Sequence, residues 1–158
     1  MVSASLGNGT LDQIDKQILE LLQEDGKITI REIAEKTAMS QTAIRSRIQK
    51  LEETLIKKYV AIIDCRQLGY REMVMASLRV NSGSSIDKLK AQIEQMEKIK
   101  FAYIITGEYP LFIMAKCLDH NDSMSLIEKL RNLSGVEEVK TQIVLDRIKE
   151  DTTIIIPE

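Results

Sequence analysis

The segment Thr29–Leu51, TIREIAEKTAMSQTAIRSRIQKL, constrains the fold more than any other part of the chain. It holds two apolar-periodic stretches separated by Thr37-Ala38-Met39. In the first, Ile30, Ile33 and Ala34 share a face; in the second, Ile44, Ile48 and Leu51 recur at i, i+4 and i+7. Thr29 with Glu32 makes a capping box for the first stretch, and Ser40 is a good N-cap for the second. Upstream, Leu11, Ile14, Ile18, Leu21 and Leu22 form another helical stripe over 11–25. Thr10 or Asp12 can cap its start, and Gly26 suits the position just past its end. Three helices with a tight turn between the last two have the form of a helix-turn-helix, whose second helix enters the DNA major groove.

The outer face of that second helix carries Gln41, Thr42, Arg45, Ser46 and Gln49. Glutamine pairs bidentately with adenine and arginine with guanine, while hydroxyls reach base edges or phosphates. A helix that merely faced water would more often carry Glu and Lys pairs, and here the acids wait until Glu52 and Glu53. Trihelical folds also serve as protein-binding modules, so these residues alone leave that reading open. The net charge of −2 excludes a non-specific nucleic-acid coat. Residues 40–60 nevertheless set five cations, Arg45, Arg47, Lys50, Lys57 and Lys58, against two acids, a local +3. Arg47, Lys50, Lys57 and Lys58 are the candidates for phosphate contact, against the alternative of a solvated helix face.

From residue 73 the pattern changes. MVMASLRV (73–80) alternates Val74, Ala76, Leu78 and Val80 against Met75, Ser77 and Arg79, and 86–97 is amphipathic through Ile86, Leu89, Ile93 and Met96. Two apolar runs, 100–106 and 111–118, flank Gly-Glu-Tyr-Pro; a helix over 122–132 and a strand over 137–147 complete βαββαβ. That order is the ferredoxin-like motif, one antiparallel sheet with both helices on one face. The other face is left uncovered, with Met75, Phe112, Met114 and Val144 as candidates for it, and an apolar patch of this kind marks an interface, most simply with a second copy in two-fold symmetry. The fold class is therefore α+β. The domains are a disordered lead (1–9), a three-helix winged-type helix-turn-helix (10–58), a linker with a strand (59–72), a ferredoxin-like domain (73–150) and a tail (151–158) that is a candidate edge strand.

Other classes find little support. No run of about 18 apolar residues would span a bilayer, and the first ten residues lack the basic and apolar regions of a signal peptide. Cys65 and Cys117 lack metal-type spacing and fit buried reduced thiols of a cytoplasmic protein. His120, the only histidine, stands among Asp119, Asn121 and Asp122, a setting better explained by helix capping than by a metal. No nucleophilic triad, phosphate loop or cofactor motif is present, so no enzyme and no required cofactor is expected.

The chain resembles the Lrp/AsnC (feast/famine) transcription regulators over about residues 10–150. The resemblance is carried by Leu11-Asp12, Ile14-Asp15, Ile18-Leu19, Leu22-Gln23, Asp25-Gly26, Ile33-Ala34, Ser40, Thr42, Arg45, Arg47-Ile48, Lys50-Leu51-Glu52-Glu53 and Ile56-Lys57. It continues through Tyr59–Asp64 to Leu68-Gly69-Tyr70. The resemblance implies sequence-specific binding of double-stranded DNA, a homodimer built on the ferredoxin-like (RAM-type) domain, and assembly of dimers into octamers. It also implies a small amino-acid effector held between dimers by the loop Thr106-Gly107-Glu108-Tyr109-Pro110 and by Thr141-Gln142-Ile143. Pro110 stands where the family often has an Asp that could grip the ligand's ammonium, a role Glu108 could take instead; the bland alternative is an ordinary hairpin turn. Ala38 and Thr54 replace family glycines at positions that often want a left-handed backbone. Two alternatives share the likeness. One is a siroheme-decarboxylase-like enzyme, which would use His and Arg of the C-terminal half. The other is a ligand-sensing modulator with weak DNA binding.

Overall fold

Local caps start each helix of the first unit. In the computed structural model, which describes residues 5–6, 9–81, 83 and 86–157, the helices are α1 (Gln13–Glu24), α2 (Ile30–Thr37) and α3 (Gln41–Thr54). Asp12 and Asp15 exchange bonds in a capping box, the Asp15 N–H donating to Asp12 Oδ1 at 2.8 Å. Thr29 and Glu32 do the same for α2, and the Ser40 hydroxyl accepts the Ala43 N–H at 3.2 Å. These caps satisfy N–H groups that the helix itself leaves without partners. The three helices close over Ile18, Ile33 and Ile44, each fully buried, with Leu51 and Ala34 beside them and Leu11, Ile14, Leu21 and Leu22 packed around.

Ala38 ends α2 in the left-handed conformation (φ 53, ψ 34) that its position calls for. A Cβ there costs about 1 kcal/mol, so Ala38→Gly should raise the stability of this unit by about 0.5–1 kcal/mol in thermal denaturation. Thr54 departs from the expectation. It is helical, its hydroxyl donating to the Lys50 carbonyl at 2.6 Å, and α3 ends one residue later at Leu55 without positive φ.

The chain divides into a unit of Met1–Ile62 with Glu150–Glu158 and a unit of Ile63–Lys149. The reading of 1–9 as disordered falls partly on residues 1–4, 7 and 8, outside the described residues. Of the rest, β1 (Ser5–Leu6) pairs antiparallel with β2 (Gly9–Thr10). The strand expected within 59–72 is not formed before Glu72, because Val60, Ile62 and Ile63 are exposed with no ladder partner in this chain; no wing hairpin therefore follows α3. Among the described residues the tail forms no edge strand either.

The second unit is the expected ferredoxin-like sheet: β3 (Glu72–Val80), α4 (Ile86–Glu94), β4 (Ile99–Ile104), β5 (Leu111–Cys117), α5 (His120–Arg131) and β6 (Val136–Ile143). Its strands lie in the order β4-β5-β3-β6, all antiparallel. Strand alternation sends Val74, Ala76 and Leu78 of β3 and Leu111, Ile113, Ala115 and Cys117 of β5 toward the helices. Leu89 and Ile93 of α4 and Leu126, Ile127 and Leu130 of α5 cover them. β6 ends at Ile143, short of 147, opposite Val74 of β3, with one more backbone bond beyond it, the Val144 N–H donating to the Met73 carbonyl at 2.9 Å.

On the opposite face, Met75 lies across from Met114, and Phe112 sits beside them; with Val144 these are half-buried, as the alternation predicts. Phe101 and Tyr103 of β4 join this face through their pairing with Met114 and Phe112, stacked at 6.2 Å and about half exposed. The open face is thus more aromatic than the sequence reading had it. The signal was the Phe101/Tyr103 alternation, which assigns no face until β4 is paired.

Candidate nucleic-acid interface

Ser40 fixes where α3 begins, and the 3.6-residue repeat then fixes what each side chain faces. Ile44 and Leu51 point into the core, and the residues between them on the far side point out. Gln41, Thr42, Arg45, Ser46 and Gln49 are all exposed, so the five predicted reading residues share one outward face. Arg45 has no ion pair among the described residues, while the Gln49 amide donates to Glu53 at 3.2 Å. No acid stands in the first turn of α3, which leaves the positive end of the helix available to a phosphate. Lys50, Lys57 and Lys58 are exposed, as phosphate contact requires.

Arg47 is a correction to that set. Its guanidinium donates to Asp12 Oδ2 at 2.6 Å and to Asp15 Oδ1 at 2.7 Å, with the side chain 28% exposed. It ties α3 to the capping box of α1, an intramolecular role that the sequence reading of it as a phosphate contact did not foresee. The Asp15 N–H, reinforced by Arg47, holds the Asp12 carboxyl below its ordinary value of 3.8. A depressed folded value stabilises at neutral pH and is lost as pH falls through it. Asp12 is 51% exposed, so Arg47→Ala should destabilise this unit by only about 0.5–1 kcal/mol at pH 7, and the gap to wild type should narrow in urea titrations below about pH 4.

The predicted effector residues do not come together within one chain. The loop closes with the Ile105 N–H donating to the Pro110 carbonyl at 2.8 Å, and Gly107 turns at φ 115, open only to glycine without strain. Leu111, beside the loop, aligns through Leu78 with Val139, whereas Thr141, Gln142 and Ile143 lie farther along β6. The two halves are therefore separated by about 10 Å across the strands, at ~4.8 Å per strand. Glu108, the candidate for gripping an ammonium, is already bonded to Arg79 at 2.8 Å. Arg79 also pairs with Glu138 at 2.7 Å and Glu137 at 3.3 Å. The Tyr109 hydroxyl donates to Glu138 at 2.9 Å, and Lys140 Nζ stands 4.0 Å over the Tyr109 ring. Pro110 lines an apolar crevice with Val80, Ile86 and Leu89, a packing role. Arg79, Glu137, Glu138 and Lys140 were missed, since only the β3–β6 register brings Arg79 opposite Glu138.

Asp119 caps α5, and exposed His120 has its Nδ1 3.8 Å from Glu72. Among the described residues no group of three or more His, Cys, Asp or Glu could hold a metal. Cys65 and Cys117 are buried free thiols, and a hydrogen bond from Arg147 to Cys65 Sγ pulls that thiol below its ordinary value. No helix of the described residues is long and apolar enough to cross a membrane.

Comparison with known proteins matches both units. Residues 11–52 match the AsnC-type helix-turn-helix domain, and residues 73–154 match the Lrp/AsnC ligand binding domain. The HTH-type transcriptional regulator FL11 of Pyrococcus furiosus is 31% identical over 147 residues, covering 92% of this chain and 97% of that protein. The leucine-responsive regulatory protein of Salmonella typhimurium is 26% identical, covering 92% of each. Among solved structures, a transcriptional regulator from Neisseria meningitidis in complex with L-Met superposes with a TM-score of 0.87 at 24% identity, covering 92% of this chain and 97% of that one.

Proposed function

The chain belongs to the Lrp/AsnC family of transcription regulators, and on that premise we propose that it reads a pseudo-palindromic DNA site as a homodimer under the control of a small amino acid. The observation that carries the DNA reading is the outer face of α3, where Gln41, Thr42, Arg45, Ser46 and Gln49 are exposed together. Arg45 and the glutamines supply the bidentate groups that distinguish bases, and Lys50, Lys57 and Lys58 supply phosphate contacts. Support for the dimer comes from the open sheet face, where Phe101, Tyr103, Phe112, Met75 and Met114 gather apolar surface that a second copy would cover in two-fold symmetry. Two reading helices so related take half-sites about one helical turn, ~34 Å, apart or a multiple of it. Further assembly to an octamer is part of the same reading.

The ligand-binding description of the matched domain supports the effector, as does the L-Met bound to the Neisseria regulator. The residues assigned to it are Thr106 to Pro110 of one surface and Thr141, Gln142 and Ile143 of another. Their separation in one chain suits a site completed by a neighbouring copy. A cytoplasmic setting suits a DNA-bound regulator, and the names of the relatives give a regulatory rather than an enzymatic role. Sedimentation together with gel shifts on genomic fragments, with and without single amino acids, tests these assignments. A dimer or larger assembly whose shifted fraction responds to one amino acid is expected; a monomer, or no response to any, would contradict them.

A further inference from the structure

The core around α1 is completed by residues from the other end of the chain. Gln23, on the last turn of α1, accepts the Ile154 N–H at 2.7 Å through Oε1 and donates to the Ile154 carbonyl at 3.0 Å through Nε2, across 131 positions. One side-chain amide thus makes both hydrogen bonds that a neighbouring strand would make to that residue. Two positions on, Ile156 packs against the cluster of Ile18, Ile33 and Ile44, while Ile154 and Ile155 turn their side chains outward, 72% and 95% exposed. The contact reads an extended backbone and one apolar side chain two residues later. An amide is needed at position 23, because a carboxylate could accept the N–H but could not donate to the carbonyl.

We propose that the Gln23 end of α1 is a peptide-docking site, occupied by the chain's own segment 153–156, and that its occupancy sets the stability of the DNA-reading unit. Ile156 shares its cluster with Ile44 and Ile48, the inner residues of α3. Undocking the segment therefore opens the same core that holds the reading helix in place.

Hydrogen exchange on the full-length protein tests this, with Gln23→Ala and Gln23→Glu as variants and a chain ending at Lys149 as a third. The Ile154 amide should exchange slowly in wild type and roughly tenfold faster in Gln23→Ala. Gln23→Glu, which keeps the acceptor alone, should fall between them. The shortened chain should show a lower denaturation midpoint for its N-terminal unit, restored by an excess of a synthetic peptide of residues 150–158. Equal exchange at Ile154 in wild type and Gln23→Ala would overturn the proposal, and that comparison decides even if the shortened chain does not fold. An unchanged midpoint on shortening, or no restoration by the peptide, would also overturn it. Protection of Ile154 that rises with protein concentration would assign the occupant to a second copy and reject docking within one chain.

Discussion

Ile44→Ala will lower the stability of the N-terminal unit by about 2–5 kcal/mol. Ile44 is fully buried in one cluster with Ile18 and Ile33, so truncation removes apolar contacts and leaves a cavity. A whole domain is stable by only about 5–15 kcal/mol, and a unit this small has few other apolar contacts with which to compensate. DNA binding should fall with the folded population. Urea denaturation of the variant checks this, and an unchanged midpoint would contradict the packing described for α3.

Arg45→Ala, one residue further along the same helix, should have the opposite profile. Its side chain is exposed and belongs to no ion pair among the described residues, so the denaturation midpoint should stay where it is. Specific DNA affinity should drop by about 1–3 kcal/mol, roughly 5- to 150-fold, with discrimination relaxed at one base position. Binding to non-specific duplex should change much less, since Lys50, Lys57 and Lys58, the proposed phosphate contacts, remain. Equal affinity of wild type and variant for the preferred site would remove Arg45 from the base-reading residues.

What could be read from the sequence is what physical chemistry makes local. Thr29 with Glu32, and Ser40 ahead of α3, act over three residues, so their roles are visible in the chain itself. The periodicities of α3 and β3 likewise assign faces without a partner, which is why Ile44, Leu51, Val74 and Leu78 were placed correctly in cores. Ala38 was legible through the family resemblance, which places a glycine, and with it a left-handed backbone, at its position. Thr54 was not, because its hydroxyl offered a bond to Lys50 that let α3 continue through it.

The misplaced residues are those whose partners lie far off in sequence. Arg47 bonds to carboxylates 32 and 35 positions away, and nothing in its neighbours announces them. Its position did hold a clue: three after Ile44 and four before Leu51, it falls on the inner flank of α3 and not among the outward readers. Arg79 gathers Glu108, Glu137 and Glu138 only through the pairing of β3 and β6 and the turn of the β4–β5 loop. That network occupies the carboxylate that the sequence had offered to a ligand. The linker was read as holding a strand and the tail as a candidate edge strand. In one chain the linker has no ladder partner, and the tail's pairing goes to a glutamine side chain.

Selection of bound duplexes from a randomised pool by the purified protein tests the central claim most directly. The account predicts enrichment of a two-fold related sequence with half-sites centred about one helical turn, or a multiple of it, apart, and loss of that enrichment in Arg45→Ala. A pool that remains random after binding, or enrichment that Arg45→Ala leaves untouched, would contradict it.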